Sequence, residues 1–155
     1  MHLHKFEKVW LGVGFGMIIA FLLFMGIGTF AMGMAPPGQH HQIDPDKVAS
    51  TAPFDKPGLR KIGDNEYEAV MVSQAFTFLP AKMEVPAGAT VHFVVTSPDV
   101  VHGFAIVGTN VNMTIVPGEV NHVTHTFDKP GEYLIICNEY CGTGHEMMAT
   151  RLIVK

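Results

Sequence analysis

Charge is missing from a long stretch near the start of this 155-residue chain: between Lys8 and Asp44 there is no Asp, Glu, Lys or Arg. Inside that gap residues 9–35 are almost wholly apolar or glycine, longer than the roughly 20 residues needed to cross a bilayer core. A soluble core is excluded for such a run. A cleaved signal peptide is disfavoured too, although Ala31 and Ala35 offer small residues for cleavage, because its apolar part is usually only about 7 to 15 residues. Basic clusters are also scarce. The formal net charge is -4, and from Gln39 onward 13 acidic side chains outnumber 8 basic ones, so no nucleic-acid footprint is present; a basic soluble partner is compatible with this balance. Tryptophan occurs once, as Trp10 in the apolar run, and cysteine twice, as Cys137 and Cys141.

Residues 1–35 are therefore expected to be an N-terminal segment with a retained transmembrane helix in contact with lipid. Lys5 and Lys8 precede the span, whereas Pro36, Pro37, Gly38, His40 and His41 follow it, which places the N-terminus in the cytoplasm and the rest on the outer face of the cell membrane. Gly12 and Gly16 share one helix face, where another membrane helix could approach closely.

Residues 36–61 carry Pro36, Pro37, Pro45, Pro53 and Pro57 among polar residues and read as an extended linker. Residues 62–155 form the remaining domain. Short β-branched or aromatic runs predict strands at 68–72, 82–85, 90–96, 104–106, 111–115, 122–127, 133–136 and 150–154, with turns at Pro86-Ala87-Gly88, Pro117-Gly118 and Pro130-Gly131. No segment after the anchor shows helical periodicity. The expectation is an all-β sandwich or barrel of antiparallel strands.

Both cysteines fall in Cys137-Asn138-Glu139-Tyr140-Cys141, closely followed by His145 and Met148. Thiolate, imidazole and thioether suit copper, and hard oxygen-seeking ions do not use that set. Gly142 and Gly144 give the loop the freedom to fold back on itself. A plain disulfide, a Cys2His2 zinc site and Met148 as core filler are the competing readings, and each must explain why all four residues converge. A blue-copper site needs one Cys, two His and an axial Met; a second thiolate suggests two coppers sharing sulfur. His102 is the best further ligand, because the loop Ser97-Pro98-Asp99-Val100-Val101 leads into it. His92, His122 and His125 alternate with apolar neighbours and are expected on a solvent face. His2 and His4 should lie across the membrane.

The motifs S-P-D-V-V-H-G-F (97–104) and P-G-E-Y-L-I-I-C-N-E-Y-C-G-T-G-H-E-M-M (130–148) resemble subunit II of haem-copper cytochrome c oxidases, in the short one-helix form of the ba3 type. The resemblance implies a cupredoxin-like Greek-key barrel holding a binuclear CuA centre. It implies that Cys137 and Cys141 bridge two copper ions, that His102 and His145 ligate one each, that Met148 is a weak ligand, and that the Glu139 carbonyl completes the set. Some relatives also use Glu at the position of Glu139 to bind Mg²⁺ at the interface with subunit I, whereas ba3-like members tend to carry Gln.

The function implied is that of the electron-input subunit of a terminal oxidase. It accepts single electrons from cytochrome c or another external donor and passes them to haem in subunit I, where oxygen reduction is coupled to proton pumping. Many members carry a tryptophan-rich segment where electrons enter; here the matching stretch Gln74-Ala75-Phe76-Thr77-Phe78 has phenylalanine. Phe78 is the expected aromatic at that point; the competing reading makes Phe76 and Phe78 barrel core residues on one strand face. The CuA domain of a nitrous oxide reductase and a stand-alone copper carrier are the alternative functions. A quinol-oxidase subunit II would lack these Cys and His ligands.

Overall fold

The computed structural model describes residues 4–31 and 42–155. The chain divides after Pro37 into two compact units. In the first, helix α1 (Lys5–Gly26) runs on into a π-helical turn at Ile27–Ala31, and none of its own residues is buried. Within Lys5–Phe30 an 18-residue window reaches a mean hydropathy of 2.3, so the helix is long and apolar enough to cross a membrane. A helix suits that environment because it satisfies its own backbone N–H and C=O groups where no water is available. His2, His40 and His41, and positions 36–41 of the expected linker, lie outside the described residues; His4 caps the start of α1.

The second unit contains β1 (Gly58–Gly63), β2 (Glu66–Gln74), β3 (Thr77–Leu79), β4 (Lys82–Val85), β5 (Ala89–Thr96), β6 (His102–Ile106), β7 (Asn112–Ile115), β8 (Asn121–Phe127), β9 (Gly131–Ile136) and β10 (Ala149–Val154). One sheet has the order β1-β2-β5-β8, with β3 paired to β2, and the other has the order β4-β10-β9-β6-β7. All eight predicted strands are present. The expectation of purely antiparallel pairing is corrected: β2 runs parallel to β5, and β10 parallel to β4. The cause is topological. After β2 and β3 the chain crosses to the other sheet as β4 and returns as β5, and alternation of side chains reports which residues are strand but not which way a neighbour runs.

Between the sheets lies a core that includes Met71, Phe78, Phe93, Phe104, Phe127, Ile135 and Leu152. Phe78 meets Phe104 edge-on, and Phe93 packs on both Phe104 and Phe127. Each such ring removes a large apolar surface from water, on the order of 1.5–3 kcal/mol. A smaller cluster joins Val48 and Phe54 to Val70, Val72 and Val94 on the outer side of β2 and β5. This is why Ala69–Ser73 is buried without interruption: both faces of β2 are covered.

The covering segment comes from the expected linker. Its described part is not extended: Pro45–Ser50 is a 3-10 helix begun by Asp44, whose side chain accepts from the Asp46 N–H, and Val48 and Phe54 are buried. Pro57 then precedes β1, an edge strand where the missing N–H costs no ladder bond. Pro45 opens the 3-10 helix and Pro57 leads into β1, so these prolines punctuate short elements and do not hold the segment away from the domain.

Candidate metal centre

β9 and β10 form an antiparallel pair in which Ile136 opposes Ala149, and residues 137–148 make the loop between them. The Cys137 N–H donates to the Met148 carbonyl at 3.1 Å, closing the loop at its base. Further in, the His145 N–H donates to the Gly142 carbonyl, and a single 3-10 turn, His145–Met147, leads to Met148. Gly142 has a φ of +132°, a backbone conformation that a side chain would strain. The fold supplies His102 separately: β6 pairs with β9 through Ala105 and Ile136, which sets the first residue of β6 beside the start of the loop.

The donor atoms converge. Cys137 Sγ lies 3.8 Å from Cys141 Sγ, 3.9 Å from His102 Nδ1 and 3.1 Å from the carbonyl oxygen of Glu139. Cys141 Sγ lies 3.6 Å from His145 Nδ1 and 3.7 Å from Met148 Sδ. Two ligands on one tetrahedral ion, with bonds of about 2.0–2.3 Å, stand on the order of 3.5 Å apart, so these separations fit metal coordination. All six atoms expected from the sequence are therefore brought together, in two groups that share the sulfur pair. His102, Cys137 and Cys141 are also mutually close enough to hold one ion.

Both cysteines are free thiols, so the disulfide alternative is not realised. Burial is the largest influence on the Cys141 thiol and pushes it up, with the neighbouring Cys137 adding to the effect, to about 11. A metal must displace that proton to bind. Met148 and His102 are buried, whereas the Glu139 side chain is exposed and only its carbonyl faces the sulfurs.

Three residues that the sequence did not single out shape this centre. The Asp99 carboxylate accepts from His102 Nε2 at 2.9 Å. The Gly103 N–H donates to Cys137 Sγ at 3.3 Å, and a Cβ at Gly103 would fall 2.5 Å from the Asn138 nitrogen. Phe76 lies against the loop: a Cβ at Gly144 would be 2.6 Å from its ring, and one at Gly142 2.8 Å. The only sequence signal for Asp99 was its place three residues before His102.

Phe78 requires a correction. It is wholly buried, in the core against Phe104, so it has no surface with which to meet a donor; the exposed aromatic of that segment is Phe76, at 39%. Positions two apart on one strand share a face, but Phe76 lies in the turn before β3 and only Phe78 is on the strand, so the two part company. Among the strand histidines, His122 is exposed and His92 bonds Thr124 on the outer face. His125 instead opposes the core residue Val91 and packs edge-on against Phe127, contrary to the expected solvent position.

Two facing β-sheets with a donor-bearing loop at one end define a cupredoxin-like domain, here preceded by an apolar helix. The family model for the periplasmic domain of cytochrome c oxidase subunit II matches residues 66–154. A cytochrome c oxidase subunit 2 from Thermus thermophilus is 40% identical over 154 residues, covering 97% of this chain and 92% of the relative. A chain in the cryo-EM structure of a haem-copper terminal oxidase dimer superposes with a TM-score of 0.64 at 29% identity, covering 97% of this chain and 100% of that one. The periplasmic domain of a Bradyrhizobium japonicum cytochrome oxidase subunit II shares the fold, with a TM-score of 0.53 at 21% identity over 57% of this chain and 83% of that one. The chain belongs to the cytochrome c oxidase subunit II family, and so to the subunits of a haem-copper oxidoreductase complex.

Proposed function

We propose that this chain is the electron-input subunit of its oxidase, holding a binuclear CuA centre through His102, Cys137, Glu139, Cys141, His145 and Met148. The observation that carries the reading is the pairing of donors: two thiols 3.8 Å apart, each with its own imidazole nearby and its own weak donor, the Glu139 carbonyl on one side and Met148 on the other. Six donors exceed what one tetrahedral ion takes, and the soft sulfur set selects copper. When bound, the copper pair supplies one-electron redox chemistry shared through common sulfurs.

The chain's own residues hold that geometry rigid. The closed base of the loop, the buried His102 and Met148, and the packed sheets beneath restrict movement of the donors, and sites supported by packed elements keep their geometry. Electrons come from cytochrome c or another external donor. Phe76, exposed and resting on the ligand loop, is the aromatic placed to meet it. They leave for haem in subunit I, where oxygen is reduced and protons are pumped. The N-terminus is cytoplasmic and the domain lies on the outer face. The exposed Glu139 carboxylate is a hard-oxygen ligand suited to Mg²⁺ at the subunit I interface, the partner supplying the rest of the shell.

The test is metal analysis and electron paramagnetic resonance of the copper-loaded chain. Two copper ions per chain, with one unpaired electron spread over both nuclei, are expected; one copper with spin on a single nucleus would overturn the binuclear assignment.

A further inference from the structure

Asp99 connects parts of the molecule that otherwise come from separate segments. Its Oδ1 lies 2.9 Å from His102 Nε2 and accepts from the Val100 N–H at 2.7 Å, with the Ser97 hydroxyl 3.1 Å away. Its Oδ2 accepts from the Ala75 N–H at 2.7 Å. Ser97 is itself fully buried, and its hydroxyl also lies 2.7 Å from the Val100 carbonyl and 3.3 Å from the Asp99 N–H, so the turn bearing the carboxylate is held from within.

Each oxygen has a distinct consequence. An ionised carboxylate only accepts, so the ring hydrogen of His102 sits on Nε2 and Nδ1 presents its lone pair toward Cys137 Sγ, 3.9 Å away. The ring is wholly buried, and among the described residues its bond to Asp99 is what sets its rotation and tautomer. The other oxygen anchors the residue immediately before Phe76, whose ring bears on Gly142 and Gly144 of the ligand loop. One side chain thus ties the aromatic segment to the imidazole.

We propose that Asp99 is a positioning residue that fixes His102 in its metal-binding tautomer and couples the placement of the Phe76 segment to that ligand. The metal-binding half rests on the copper reading above; the tie itself is a property of the metal-free chain. A displacement of Phe76, by a docked donor or by substitution, is transmitted to His102 through a carboxylate that both must share. Outer partners of this kind orient ligand histidines and tune the metal they hold.

The experiment uses the full chain in detergent, with Asp99→Asn and Asp99→Ala. An amide can serve only one of the two donors, because its NH2 end meets either the Ala75 N–H or the His102 N–H as donor against donor. In the metal-free chain, Asp99→Asn is expected either to speed hydrogen exchange at the Ala75 amide by about tenfold or more, or to change the His102 ring ¹⁵N shifts to the other tautomer. Asp99→Ala is expected to do both. With copper, Asp99→Ala should keep the stoichiometry of the unsubstituted chain, shift its midpoint potential, and weaken retention against a chromogenic copper chelator about 10- to 100-fold. Amide exchange and ring shifts that match the unsubstituted chain in both variants would overturn the proposal. If the unsubstituted chain binds no copper pair, the copper reading fails, and the two metal-free measurements still decide the tie.

Discussion

Phe76 rests on Gly144 so closely that a Cβ added to the glycine would come within 2.6 Å of its ring. The exposed aromatic and the ligand loop therefore share one surface and cannot vary independently. Gly144→Ala is expected to destabilise the domain by about 1–3 kcal/mol, the usual cost of overpacking, and to broaden the copper spectrum. In a Phe76→Ala background the same substitution should cost much less. Denaturant unfolding of the four chains of this double-mutant cycle measures the coupling, and additive costs would contradict the contact.

The ligands are expected to rank by softness and bridging. Cys137→Ser or Cys141→Ser should abolish the mixed-valence signal, since a hydroxyl does not replace a shared thiolate. Met148 is 2% exposed, and Met148→Leu keeps its volume, so the fold should lose less than about 1.5 kcal/mol, with copper retained and the potential shifted. Loss of copper in Met148→Leu together with an unchanged spectrum in Cys141→Ser would invert this ranking.

Copper uptake should depend on pH with a definite sign. Burial holds the Cys141 thiol up at about 11, above its ordinary 9.0, so binding must release a proton and apparent affinity should rise with pH across the neutral range. For the metal-free domain the linkage runs the other way. The unfolded chain gives up this proton first, so stability present below the ordinary thiol value is lost as pH rises from there toward 11. Chelator competition and denaturant unfolding at about pH 8 and pH 10 measure the two effects; a metal-free stability that rises over that interval would contradict the assignment.

Phe54 belongs to the folded domain despite its proline-rich surroundings. It is 3% exposed and packs with Val48, Val70 and Val72. Phe54→Ala should therefore cost about 3 kcal/mol, in the range for a buried phenylalanine, as read by denaturant midpoint. A midpoint indistinguishable from that of the unsubstituted chain would return this segment to the role of a tether.

Glu139 separates backbone from side chain. Its carbonyl lies 3.1 Å from Cys137 Sγ while its carboxylate is exposed. Glu139→Gln should leave the copper spectrum of the chain nearly unchanged but lower Mg²⁺ or Mn²⁺ occupancy in the assembled oxidase. Equal occupancy in both complexes would remove the magnesium role, and a collapsed copper spectrum would show that the carboxylate supports the loop.

Local signals made much of this protein legible from its sequence. The apolar run of α1, the alternating strands and the Cys-Cys-His-Met spacing are properties of contiguous residues, and a loop that closes on itself brings its own donors together wherever the rest of the chain lies. His102 was within reach because a loop leading into a strand can aim a side chain. What tertiary structure alone decided involves partners far apart in sequence: the parallel pairing of β2 with β5, the burial of Val48 and Phe54 against β2, and the reach of Asp99 to Ala75. The same holds for Phe76 and Phe78, which look equivalent as text. One points into the space between the sheets and the other onto the ligand loop, because the turn that carries Phe76 ends just before β3, where Phe78 takes up the strand's inward face.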